Sequence, residues 1–234
     1  MTNPLILKTP IILKTAKLAA LMAVMTINSA CAVYRAEVPD SKKEFARLEA
    51  RQIEVGAFET IYLRSDAYLR IRTGETVSVT LSTEPDHFEH LEVTVHGGEL
   101  SVRHQGRHRG RRYVALEIVV PSLSGIRIEG AVDAELDDIT ADVFDLEIDG
   151  AGAVVINGTC NRADFRVDGY GSLEAFGFHC HDVRLRFSGI GSAEVWADEK
   201  IDLDVSGIGS VDVRGKPVKV RRRVSGIGSV DIDR

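Results

Sequence analysis

Aromatic residues are scarce in this 234-residue chain, at 6% of positions, and positive charge is in deficit: 29 Lys and Arg stand against 35 Asp and Glu, a formal net charge of -6. That balance argues against a dedicated nucleic-acid binder, which carries a basic face. Few aromatics beside 21 glycines fit a chain of many turns better than a helical bundle. After residue 50 no stretch keeps a helical period for three turns. The longest apolar run of the N-terminal segment, Leu18 to Ile27, is ten residues, too short for a bilayer span of about 20.

That run follows Lys8, Lys14 and Lys17 and precedes Asn28-Ser29-Ala30-Cys31-Ala32, so residues 1–31 read as an export signal. Two processing routes fit. Cleavage after Ala32 would be the ordinary one, whereas Ser29-Ala30-Cys31 has the form of a bacterial lipobox with Cys31 lipidated, although Asn28 stands where an apolar residue is usual. Either route exports the protein to the bacterial cell envelope, in the periplasm or at the outer membrane. Export leaves Cys160 and Cys180 as an even pair in an oxidising compartment.

Residues 32–50 are polar and mixed and read as a tether. From residue 51 the text alternates apolar and polar residues, less regularly over 51–125 and in register over 126–234, which together form one all-β domain. The polar run from Arg103 to Arg112 interrupts the alternation and reads as a loop.

The regular part repeats one phrase. Ser206-Gly207-Ile208-Gly209-Ser210-Val211-Asp212-Val213 recurs at Ser225 and, with small changes, at Ser188; looser copies begin at Asp168, Asp149 and Glu129. The leading glycines, at 130, 150, 169, 189, 207 and 226, step by 20, 19, 20, 18 and 19 residues. Such a period implies stacked units: a single-domain β-helix or β-solenoid of two facing sheets, with coils of about 19 residues and a Gly-x-Gly turn in each. The positions two and four before the leading glycine, and four and six after it, are apolar and are expected to face inward. Arg222 departs from this, standing where other copies have Leu203, Leu185 or Phe165, and reads as a cap against end-to-end stacking.

Few residues suggest chemistry. A Gly-x-Gly between two strands is a corner and not a phosphate loop, which needs a strand feeding a helix. The period is not that of nonapeptide calcium repeats. His87-x-x-His90 and the pair His179 and His181 lack a third ligand fixed by spacing. No catalytic, metal or cofactor residue is therefore assigned. Cys160 and Cys180 occupy nearly the same place in adjacent copies, at a spacing that suits a disulfide. Two columns could bind a partner. Glu174, Glu194, Asp212 and Asp231 share one outward position, either screened by neighbouring lysines and arginines or open to a cation or a basic partner. Tyr170, Ile190, Ile208 and Ile227 occupy the corner tip, either folded inward as a plug, which is the expectation, or outward as an apolar ridge.

The Ser-Gly-Ile-Gly-Ser copies at 188, 206 and 225, with the lead-in Val119-Val120-Pro121-Ser122-Leu123-Ser124-Gly125-Ile126, resemble the autotransporter-adhesin head proteins with the GIN domain. The resemblance spans residues 50 to 234 and implies a β-helical, non-enzymatic surface protein with an adhesive role. Its partner would be a surface glycan, an envelope protein or a second copy, with no nucleic acid and with membrane contact only through a lipid anchor at Cys31. Many β-helices act on polysaccharides, so a polysaccharide-binding or polysaccharide-modifying enzyme is the competing reading.

Overall fold

A computed structural model describes residues 48–106 and 114–233. The export signal, Cys31 and Arg107 to Arg112 lie outside those residues. Alternation of apolar and polar side chains writes strands almost everywhere. In order these are β1 (Glu49–Ile53), β2 (Thr60–Arg64), β3 (Ala67–Thr73), β4 (Ser78–Thr83), β5 (Leu91–His96), β6 (Glu99–His104), β7 (Ala115–Val120), β8 (Gly125–Phe187), β9 (Ile190–Val205), β10 (Ile208–Arg214), β11 (Lys219–Val224) and β12 (Ile227–Ile232). One 3-10 helix, Pro85–His90, precedes β5. Its start is set by Pro85, whose missing N–H costs nothing in a first turn. β1 begins at Glu49, inside the segment read as tether.

The expected architecture of two facing sheets is overturned. All strands of the described residues belong to one twelve-stranded sheet, and one cluster of buried side chains fills its concave side, so the sheet is curled around a single core. The reason lies at the glycines. A turn would end one sheet and begin another, but Gly130, Gly150, Gly152, Gly169 and Gly171 lie within β8, a single strand of 63 residues. At Ser188-Gly189, Ser206-Gly207 and Ser225-Gly226 the chain only bends before pairing resumes. The hydrogen-bonded ladder therefore passes each corner instead of stopping there. Pairing is antiparallel between β1 and β4, β4 and β7, and β5 and β6. It is parallel between β9, β10 and β12, and between β8 and β9, with like residues opposite one another: Tyr170, Ile190, Ile208 and Ile227 stand in one row, as do Glu174, Glu194, Asp212 and Asp231.

Glycine is required at these corners by close approach of neighbouring backbones. A Cβ on Gly209 would overlap the carbonyl oxygen of Gly191, and one on Gly191 would overlap that of Gly171. Any side chain there would push the adjacent strands apart.

The inward positions named from the alternation are buried: Leu146, Phe165, Val167, Leu185, Phe187, Leu203 and Val205 before the corner, and Val154, Leu173, Ala193, Val195, Val211 and Val213 after it. Phe144 and Phe178 meet edge to face with centroids 5.3 Å apart. Cys160 and Cys180 are buried in this core and joined by a disulfide, their Cα atoms 4.5 Å apart.

Candidate functional site: the face beyond the glycine corner

With the apolar side chains inward, every second residue after a corner must point out. The first outward row is Tyr170, Ile190, Ile208 and Ile227, exposed by 66%, 46%, 49% and 74%. The expectation that these tips plug the core is thus corrected. At Gly169, Gly171 and Gly191 the backbone takes φ of +141°, +159° and +153°, which glycine accepts, and the residue between two glycines faces solvent. An open trough of about 500 Å³ runs over the glycine backbone between this ridge and the row Ser188, Ser206 and Ser225.

Two residues further along each strand lies a row of hydroxyls, Ser172, Ser192, Ser210 and Ser229, and two further still the acidic row Glu174, Glu194, Asp212 and Asp231. Rows in a parallel sheet are about 4.8 Å apart, so these carboxylates are close neighbours of like sign. Screening by basic neighbours was expected; among the described residues none of the four makes an ion pair. The nearest outward cation beyond the row, Arg214, is turned onto the ring of Phe176, its guanidinium carbon 3.8 Å from the centroid. Trp196, opposite Arg214, is stacked on His179 at 4.2 Å and donates its indole N–H to Asp198 at 2.8 Å.

Glu135 holds the equivalent position in an earlier copy, and there the charge is matched. Arg70 approaches it at 2.8 Å and also donates to the Tyr68 hydroxyl at 2.8 Å. The Arg70 hydrogen bond holds the Glu135 carboxyl below the usual carboxylate range. Burial, aided by the Glu135 carboxylate, pushes the Tyr68 hydroxyl up.

The histidines, for which spacing fixed no third ligand, gather in part, and His87 is buried. His87 and His90 have ring centroids 6.1 Å apart, and His104, which spacing did not connect to them, stacks on His87 at 4.9 Å from β6. Hairpin pairing of β5 with β6 brings His104 there, placing it opposite Leu91. Among the described residues no group of three or more His, Cys, Asp or Glu could hold a metal ion, and no helix is long and apolar enough to cross a membrane.

A solved structure supports the fold. The crystal structure of a putative adhesin from Bacteroides fragilis NCTC 9343 superposes with a TM-score of 0.67 at 21% identity, over 80% of this chain and 97% of that one. That of a putative adhesin from Parabacteroides merdae ATCC 43184 matches over the same shares at 16% identity and a TM-score of 0.49. No curated protein matches the sequence. Residues 57–217, well over half of the chain, fit the family described as "Putative auto-transporter adhesin, head GIN domain", and the protein belongs to that family.

Proposed function

We propose that this protein is a non-enzymatic, adhesin-like binding module of the bacterial cell envelope, and that it docks its partner on the face beyond the glycine corner. Membership of an adhesin family supports a location at the cell envelope or outside the cell. The export signal would carry the chain there, and a lipid on Cys31 with the tether behind it would hold the domain at a membrane surface.

The observation that carries the reading is the pairing of an exposed apolar ridge with an acidic row that has no ion partner among the described residues. Exposed apolar side chains in a continuous row mark contact surfaces. A like-charged row beside them selects a partner that brings positive charge. The best-fitting partner is a basic, partly apolar envelope protein. Affinity would come from many shallow contacts repeated along the strands, since the trough is open and shallow.

A photo-crosslinking residue placed at Ile208 in cells, compared with one at Arg166, tests this. Adducts to an envelope protein at Ile208 and none at Arg166 are expected, and Glu194→Gln with Asp212→Asn should reduce their yield. Equal adducts from both positions would remove the assignment of the face. Turnover of a polysaccharide by the purified protein would replace the binding reading with the enzymatic one.

A further inference from the structure

A second surface, formed by β11, carries a more specific pattern. β11 pairs with β9 and, among the described residues, with no other strand. Its other edge therefore presents unpaired backbone N–H and C=O groups, a template for an added strand. The side chains along it read Val220-Arg221-Arg222-Arg223-Val224, all exposed. β11 also lies beyond residue 217, where the family match ends.

The filled side of β11 shows what it accepts. There Arg221 lies opposite Asp202 and Arg223 opposite Asp204 in parallel register. The guanidinium of Arg221 is 3.8 Å from Asp202, and that of Arg223 is 3.3 Å from Asp204. Asp202 also approaches Arg184 on its other side, at 3.8 Å, so it stands between two arginines. Among the described residues Arg221 and Arg223 have a carboxylate on one side only, and their side chains are 78% and 77% exposed. Continuing the alternation by one strand requires an acid opposite each. Arg222 points the other way, towards the core, where its Nη1 reaches the carbonyl oxygen of Val230 at 3.5 Å. Val220 and Val224 share that inner side, 48% and 39% exposed.

We propose that the free edge of β11 binds an extended acidic segment of a partner protein by strand addition. The segment would carry the pattern apolar–acid–polar or acid–acid–apolar. Its two outer carboxylates meet Arg221 and Arg223, its central residue meets Arg222, and its apolar ends cover Val220 and Val224. Because the pattern on β11 is palindromic, a parallel and an antiparallel segment present the same side chains. The three arginines also act by exclusion: a purely apolar strand would bury them unpaired, so the edge rejects aggregation-prone segments and admits an acidic one.

The test uses the purified protein and labelled peptides centred on Val-Asp-Glu-Asp-Val, with binding followed by fluorescence anisotropy. The acidic peptide should bind at least tenfold more tightly than one with arginines replacing both aspartates. The double variant Arg221→Glu with Arg223→Glu should reverse that order, and Arg222→Leu should shift preference towards a central leucine. Alternate N-methylation of the peptide backbone should weaken binding at least tenfold. Undiminished binding of the N-methylated peptide, or unchanged preference in the double variant, would overturn the proposal in favour of plain charge attraction. Self-association of the protein that is abolished by the same double variant would overturn it by giving the edge to a second copy.

Discussion

The two sides of each glycine corner solve the same problem in opposite ways. In a sheet whose parallel strands pair like with like, a repeated residue faces its own copy about 4.8 Å away, so a repeated charge repels itself. Before the corner the last three copies alternate in sign. Arg184, Asp202 and Arg221 follow one another across β8, β9 and β11, and Asp164 gathers Arg166, Arg184 and Arg186 at 3.9, 3.7 and 3.3 Å. After the corner the copies keep their sign, in Glu174, Glu194, Asp212 and Asp231, and among the described residues no cation pairs with them. Both sides share the same buried core and the same ladder, which hold the fold. The difference is confined to the outer surface, where the acids of one side meet arginines and, among the described residues, the acidic row of the other does not.

Breaking the corner that both sides share should have the largest effect. Gly209→Ala must push the strand off the Gly191 carbonyl and should cost about 3 kcal/mol, measured by urea unfolding. Asp164→Asn strikes the satisfied side, removing the charge that three guanidinium groups face; it should cost about 1 kcal/mol, since these groups remain partly solvated. Glu194→Gln, on the unsatisfied side, should instead raise stability by about 0.5 kcal/mol by relieving a like-charge row. The smallest effect concerns Glu135, an acid of the later side that is paired with an arginine. Its lowered pKa means that its contribution is fully present above about 4.5 and is lost as pH falls through the lowered value. Glu135→Gln should therefore flatten the acid limb of the stability profile while leaving its shape near neutral pH unchanged.

Much of this surface could be read from residue order, and the unreadable part has a physical cause. The inward rows followed from alternation, because burial of Leu185, Phe187, Val211 or Val213 needs only the period of a strand. The exposed tips did not follow. A Gly-x-Gly phrase suits a tight turn, and only the backbone path, which keeps its strand pairing through Gly150, Gly152, Gly169 and Gly171 within β8, shows that the sheet continues and that Tyr170 and Ile190 face outward. The same fact replaces two facing sheets with one curled sheet. The acidic row was legible as a row, but its lack of ion pairs depends on where Arg214 points, and its contact with Phe176 bridges residues 38 positions apart. His104 was missed beside His87 because a hairpin, and not local spacing, joins them.

The claim that one side of the corner is satisfied and the other is not can be tested by giving both the same change. Asp202→Lys and Glu194→Lys each replace one carboxylate by one ammonium at a half-buried outward position of β9. Thermal unfolding of the two variants at low ionic strength should move in opposite directions: Asp202→Lys, set between Arg184 and Arg221, lowers Tm, whereas Glu194→Lys, set between Glu174 and Asp212, raises it. Shifts of the same sign and size would contradict the account.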